Sequence, residues 1–207
     1  MTRRRALLDL ALVAATAVAF LVLDVLLHRK ALFIALAATV WLTWIAVHGR
    51  SADERHAWGL RGDTLRASLR MNVVMIVVAG ALMIAIGLAL GRPAPSGGFY
   101  ALLAVYPLYG ALQQLVLCGV LHRAVLTLVR REGRAHAISA VLFGALHAPV
   151  PALAALTLVA GAVWLALFRR APNIYAQGLS HGWLGAIAYH FLLGHDPWRE
   201  LMASLGR

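Results

Sequence analysis

Acidic residues and cysteine are scarce in this chain. Its 207 residues include 8 Asp and Glu against 19 Lys and Arg, and a single cysteine, Cys118. One cysteine excludes an intramolecular disulfide and the paired-cysteine motifs of zinc and haem proteins. Charged residues make up only 13% of the chain, whereas about a quarter of a soluble domain is charged. The composition therefore excludes an ordinary soluble globular domain.

Long apolar runs take the place of the missing charges. Hydrophobic residues make up 62% of the chain, and the mean hydropathy is +0.79. Both values are typical of an integral membrane protein. At about 20 residues per span, the length leaves room for about seven transmembrane helices and for no separate soluble domain. We predict an all-α, polytopic helical bundle that forms a single transmembrane domain over residues 1–207.

The apolar runs divide the chain into three parts. Residues 1–55 are predicted to form an N-terminal helical hairpin, in which residues 6–27 are an uncleaved signal anchor. Residues 56–70 are predicted to form an interfacial amphipathic segment, and Trp41 and Trp44 before it to be interfacial anchors. Residues 71–194 are predicted to form the core of the protein, with spans at 71–90, 100–128, 135–147, 152–168 and 173–193.

The basic residues indicate how the bundle is oriented. The net charge is +11, but basic residues between apolar spans are explained by topology and by anionic headgroups. With seven spans, most of them fall on the side of the N-terminus. We predict a multi-pass protein of the cell membrane with a cytoplasmic N-terminus and the C-terminus on the opposite side. Its expected partners are membrane lipids and no nucleic acid, and its oligomeric state is unknown from sequence.

Two adjacent amides, Gln113 and Gln114, lie within the apolar run 100–128. On a helix, a stripe of every fourth residue holds small and polar groups, namely Tyr106, Gly110, Gln114, Cys118 and His122. An unpartnered buried amide costs about 1–3 kcal/mol, so other helices must bring polar groups to this stripe. We predict that the stripe faces protein. The amides by themselves are most simply explained as interhelical hydrogen bonds.

Two histidines lie at a similar predicted depth. His147 ends the fifth span and His181 lies inside the seventh. Two neutral imidazoles from different helices are the minimum for a shared metal site. A catalytic zinc also requires a third protein ligand and, in a hydrolase, a base that is usually a carboxylate. No carboxylate accompanies these residues, and an amide oxygen orients water but does not accept a proton at neutral pH.

Three short motifs contain these residues. They are QQLVLCG at 113–119, FGALH at 143–147 and HGWLG at 181–185. In order, spacing and helix placement they resemble the motifs of the CPBP family of intramembrane proteases, also called the CAAX protease and bacteriocin-processing or Abi family. That family has a glutamate pair followed by an arginine, a phenylalanine with histidine four residues on, and a histidine with asparagine or aspartate four residues on.

The chain departs from the family pattern at four positions. Gln113 and Gln114 replace the glutamates, Cys118 the arginine and Gly185 the final asparagine. The resemblance nevertheless implies an intramembrane endopeptidase that acts on membrane-associated peptide or protein substrates. It assigns candidate catalytic roles to Gln113, Gln114, His147 and His181. His147 and His181 are also the candidate ligands of a divalent metal such as zinc.

Four accounts of the function stay open. In the preferred one, an endopeptidase, Gln113 or Gln114 positions water and His147 or His181 takes its proton. In the alternative, a catalytically inactive pseudoprotease retains the pocket and binds a membrane client or acts as a membrane scaffold. A Cys118 nucleophile with His122 is disfavoured because a thiol in apolar surroundings has a raised pKa. A transporter is disfavoured by the absence of paired discontinuous helices.

Overall fold

The structure, a computed structural model, describes residues 1–205. This part of the chain is helical and contains no strand. Its α-helices are α1 Arg3–Ala19, α2 Lys30–His48, α3 Ala52–Ala57, α4 Leu65–Ala89, α5 Gly97–Gln114, α6 His122–Val129, α7 Glu132–Ala145, α8 Pro151–Arg170, α9 Ile174–Ile187 and α10 Pro197–Leu205. Three π-helical segments extend α1, α5 and α9: π1 Phe20–Leu26, π2 Leu115–Leu121 and π3 Ala188–Leu193.

Within residues 1–205, five helices are long and apolar enough to cross a membrane: Arg3–Leu26, Lys30–His48, Leu65–Ala89, Gly97–Val129 and Pro151–Arg170. These confirm the predicted helical membrane bundle. Two of the seven predicted spans are not among the five. Helix α7 has 14 residues and therefore rises about 21 Å, less than the roughly 30 Å of hydrocarbon. Helix α9 carries Gln177, Ser180 and His181, and most of it is buried in the bundle.

Polar contacts join the first two helices. The buried carboxylate of Asp9 accepts hydrogen bonds from Arg5 Nε at 2.7 Å and Trp44 Nε1 at 3.2 Å. Trp41 Nε1 donates to Thr16 Oγ1 at 3.2 Å. The prediction that Trp41 and Trp44 are interfacial anchors is therefore wrong. Both indoles are buried because each N–H finds an acceptor on α1.

The predicted interfacial segment 56–70 is divided between several elements. Residues 65–70 are the first turns of α4, and a loop joins them to the short helix α3. Trp58 in that loop is fully buried and packs on Trp44 with ring centroids 4.8 Å apart. Arg123 Nη1 on α6 donates to Glu54 Oε2 at 2.9 Å, and this hydrogen bond lowers the pKa of Glu54. Trp58 thus fixes the segment to α2, and Glu54 fixes the preceding helix α3 to α6.

A close crossing of α5 and α9 forms the centre of the bundle. A Cβ atom at Gly110 would lie 2.7 Å from the Gly178 carbonyl oxygen. One at Gly178 would lie 2.5 Å from Ala111 Cβ, and one at Gly182 would collide with the backbone of Pro107. Small residues allow such backbone approach. The crossing brings Gln114 against His181, and the predicted stripe faces protein as expected, since Gly110, Gln114, Cys118 and His122 are buried.

Pro107 interrupts the hydrogen bonds of α5 just before this crossing. Proline has no backbone N–H, so the carbonyl of Leu103, four residues earlier, loses its helical partner. Trp183 Nε1 on α9 donates to that carbonyl oxygen at 3.1 Å. The hydrogen bond thus fastens α9 to α5 a full turn beyond the glycine contacts.

Candidate functional site

The centre of the site is a hydrogen bond between the first and third motifs. Gln114 Nε2 lies 3.0 Å from His181 Nδ1. The Gln114 side chain is 0% exposed and that of His181 4% exposed. The close α5–α9 crossing positions both residues, because its glycines let the two backbones approach. The sequence places both amides near His181 only by hypothesis, and the structure selects Gln114.

Gln177 and Cys118 extend this hydrogen bond into a network. Gln177 Nε2 donates to the Trp164 carbonyl oxygen at 2.7 Å, which fixes the amide orientation. Gln177 Oε1 then faces Cys118 Sγ at 3.3 Å, and Gln114 Oε1 lies 3.6 Å from the same sulfur. The thiol therefore serves as a buried donor. His122 does not serve it as a base, since its Nδ1 pairs with Ser139 Oγ at 3.3 Å.

The orientation of the Gln114 amide determines which nitrogen of His181 carries the proton. With Oε1 toward the thiol and Nε2 toward His181, the amide donates to Nδ1. A neutral imidazole has one N–H and one lone pair, so His181 presents an Nε2–H donor to the rest of the site. A glutamate at position 114 would accept a hydrogen bond instead and would select the opposite tautomer.

His147 has the opposite tautomer. Its Nδ1 lies 2.9 Å from the Phe143 carbonyl oxygen, an acceptor only, so Nδ1 carries the proton and Nε2 carries the lone pair. The ring of Phe143 contacts both histidines, with centroids 5.2 Å from His147 and 6.1 Å from His181. The two imidazoles also interact electrostatically. His147 is half-buried, whereas His181 is enclosed.

Gln113 lies outside the Gln114 network. Its amide interacts with the Tyr109 hydroxyl one turn earlier on α5. Its Oε1 atom is buried and has no hydrogen-bond partner within residues 1–205. A buried acceptor without a donor is costly, so this oxygen is a place where water or a substrate N–H would gain a hydrogen bond.

Trp164 and the residues behind it complete the support of His181. The Trp164 and His181 rings stack with centroids 4.6 Å apart and an interplanar angle of 7°. Trp164 Nε1 donates to Ser180 Oγ at 2.9 Å, and Ser180 Oγ donates to Asn72 Oδ1 at 2.7 Å. Neither Trp164 nor Asn72 belongs to the three motifs of the sequence. The polar pair Ser68 and Asn72, one turn apart in an apolar helix, is the sequence feature that indicates this contact.

The support network predicts a stability effect for Asn72→Leu. The substitution removes the Asn72 acceptor of the buried Ser180 hydroxyl, which keeps the Gln177 carbonyl oxygen at 3.0 Å as a second acceptor. It should lower the free energy of unfolding by about 1 kcal/mol. Denaturant unfolding of the detergent-solubilised protein, followed by tryptophan fluorescence, measures this. Thr39→Val is the control, because Thr39 is exposed and bonds only its own helix at Ala35. Equal stabilities of the two variants would mean that the Asn72 contact is energetically neutral.

The residues of the site do not fit a resident zinc ion. None of the 8 Asp and Glu residues hydrogen-bonds to Gln114, His147 or His181 within residues 1–205. The described part of the chain holds no group of three or more His, Cys, Asp and Glu residues arranged around a metal position. His147 and His181 are two imidazoles, and a zinc ion needs at least a third protein ligand, which the residues described around them do not supply.

Elemental analysis tests this conclusion directly. The detergent-purified wild-type protein should contain far less than one zinc or other transition metal ion per chain. The double variant His147→Ala/His181→Ala should give the same metal content as the wild type. Near-stoichiometric metal in the wild type that disappears in the double variant would contradict the donor assignment and restore the predicted two-histidine metal site.

Comparison with known families agrees with the motifs. Residues 94–187 match the family model described as type II CAAX prenyl endopeptidase Rce1-like. All three motifs, at 113–119, 143–147 and 181–185, lie inside the matched region. The match confirms the resemblance to CAAX proteases. No curated protein and no solved structure matches the chain.

Proposed function

We propose, from the Rce1-like CAAX prenyl endopeptidase domain at residues 94–187, that this membrane protein is an intramembrane endopeptidase. Its substrates in this proposal are membrane-associated peptides or proteins, including those with a prenylated C-terminus. The arginine-rich N-terminal end faces the cytoplasm, in accordance with the positive-inside rule.

The observation that carries the proposal is the tautomer of His147. Because Nδ1 bonds to the Phe143 carbonyl, Nε2 is free to act as a general base on water. Transfer of a water proton to Nε2 lets the oxygen attack the scissile carbonyl carbon. The protonated His147 then gives that proton to the leaving nitrogen as the C–N bond breaks. The products are a carboxylic acid and an amine, and His147 returns neutral.

Gln113 and His181 have complementary roles in this scheme. The unpartnered Oε1 of Gln113 accepts the second hydrogen of the attacking water and so orients it. His181 Nε2–H donates to the oxyanion that forms on the substrate carbonyl. Gln114 and Trp164 hold His181 in the donor tautomer and ring position that this requires. Each role uses a group that has no other partner in the network.

Hydrolysis in ¹⁸O-labelled water tests the proposal. The full chain, reconstituted in lipid nanodiscs, is incubated with a farnesylated CAAX peptide and, separately, with an unprenylated transmembrane peptide. Mass spectrometry should find a product with one ¹⁸O atom at its new C-terminal carboxylate. His147→Gln is the matched control, because glutamine is a polar side chain of similar size that has no basic nitrogen. Labelled product from the variant at the wild-type rate, or from neither protein, would contradict the proposal.

The second candidate is a pseudoprotease that binds a membrane client. It is favoured by the amides at positions 113 and 114, which leave the site without a carboxylate. In the same nanodiscs, a pseudoprotease should retain intact peptide without forming labelled product. Loss of this retention in His181→Ala would place the binding at the same site.

A further inference from the structure

A second polar region lies where the first loop meets the C-terminal helix. It encloses a cavity of about 250 Å³ lined by Asp24, His28, Lys30, Glu200, Ala203 and Ser204. The cavity lies between the end of π1, the start of α2 and helix α10. Four of its six lining residues have titratable side chains of both signs, which is unusual beside apolar helices.

The backbone around the cavity is irregular on the α1 side. Asp24 lies in the π-helical segment Phe20–Leu26, and π-helical turns inside α-helices often occur at functional sites. His28 adopts a left-handed conformation with φ 53°, which is uncommon for a residue other than glycine. Both irregular residues line the cavity. The wall of the cavity on the α1 side is therefore formed by residues outside regular α-helix.

The charges of the cavity are incompletely paired. Lys30 Nζ lies 2.5 Å from Glu200 Oε2, and His195 Nδ1 lies 3.3 Å from Glu200 Oε1. Asp24 is half-buried, and within residues 1–205 no side chain hydrogen-bonds to its carboxylate. Lys30, Glu200 and His28 affect it only through electrostatic interactions. A half-buried carboxylate without donors favours a cationic ligand that has N–H groups.

The position of the cavity indicates where such a ligand comes from. Segment π1 ends the apolar helix Arg3–Leu26, which is long enough to cross a membrane, so the cavity lies at the depth of the lipid headgroups. Leu26 and Leu27 beside it are 69% and 57% exposed, which places hydrocarbon surface next to the charged wall. The headgroups of surrounding lipid molecules can therefore reach this cavity directly.

We propose that the cavity binds a phosphoethanolamine group, as the headgroup of a phospholipid. The primary ammonium donates to Asp24, and the phosphate lies against Lys30 and His28. A choline headgroup has a quaternary ammonium without N–H donors, so it does not satisfy Asp24. The binding fixes the end of α1 to α10 through a lipid and is independent of the peptidase activity.

Lipid retention by the purified full chain tests this proposal. The protein is exchanged into equimolar phosphatidylethanolamine and phosphatidylcholine of identical acyl chains, and retained lipid is identified by native mass spectrometry. The wild type should prefer phosphatidylethanolamine, and Asp24→Asn should reduce the preference by about tenfold, the loss of one charge-assisted hydrogen bond. Asp63→Asn is the matched control, because Asp63 is exposed and pairs with Arg61 in the loop before α4.

Three outcomes would overturn the proposal. They are equal retention of the two lipids by the wild type, a preference that Asp24→Asn leaves intact, and full competition by free ethanolamine, which would identify a soluble-amine site. Competition by free phosphoethanolamine with retained lipid selectivity supports it. If Asp24→Asn does not fold, the wild type is compared across mono-, di- and trimethylated headgroups. Retention should then fall as N–H donors are removed, and an unchanged retention would overturn the proposal.

Discussion

Replacing His147 by alanine should lower the rate of peptide hydrolysis by about 10²–10⁴-fold, the usual contribution of a general base. The reason is that His147 Nε2 is the site's one imidazole nitrogen with a free lone pair when Nδ1 bonds to the Phe143 carbonyl. The fold should survive, since His147 lies at the end of α7 and is half-buried. Cleavage kinetics in nanodiscs, measured together with the melting temperature, distinguish loss of the base from loss of the fold.

His190→Ala is the control for this substitution. His190 is a second half-buried histidine, and its Nε2 bonds to the Pro93 carbonyl in the loop before α5. Its removal should leave the rate unchanged. If His147→Ala and His190→Ala cleave equally fast, the base is another group and the assignment of His147 fails. His181→Ala should also reduce the rate, but without removing the base.

The second large effect is expected at the α5–α9 crossing. Gly182→Val would bring a branched side chain against the backbone of Pro107 and Tyr106, which cannot rotate away as a side chain can. We expect a loss of about 3 kcal/mol in the free energy of unfolding, at the upper end of the cost of overpacking. Separation of the helices should also break the Gln114–His181 hydrogen bond and abolish activity. Denaturant unfolding and the cleavage assay measure the two consequences.

Gly133→Val is the matched control for Gly182→Val. Apart from its chain neighbours and the nearby backbone of its own helix, no atom of residues 1–205 lies within 4 Å of a Cβ atom placed at Gly133, so the same side chain meets open space there. Its effect on stability should be small. Equal stability of the two variants would show that the crossing can adjust to a larger separation, and the close glycine contacts would then have no energetic importance.

The sequence predicts the fold class and the buried stripe because both depend on hydrophobic periodicity. It does not predict which amide reaches His181. Gln113 and Gln114 differ by about 100° around the helix, and the choice depends on where α9 crosses α5. The misplacement of Trp41 and Trp44 has a similar cause. Hydropathy places tryptophan at an interface, but it does not reveal that Thr16 and Asp9 offer acceptors inside the bundle.

The residues that hold His181 in place also cannot be recognised from local sequence patterns. Asn72 lies on α4, outside the matched region 94–187, and reaches His181 only through Ser180 and Trp164. No spacing rule links residues so distant along the chain. The resemblance identifies the histidines, and the hydrogen bond of His147 lies within its own motif. The hydrogen bonds around His181 instead depend on how α5, α8 and α9 pack together.

The π-helical segment that follows Gln114 determines how the side chains of α6 are oriented around the helix axis relative to those of α5. In an α-helix each step of four residues advances about 40° around the axis, so four steps would sweep about 160°. The buried stripe runs four such steps, from Tyr106 to His122. The wider turns of π2 at Leu115–Leu121 rotate less per residue and return the second half to the same side. Regular α-helical turns in place of π2 would rotate Cys118 and His122 away from the side that carries Gln114, while leaving Gln114 itself in place.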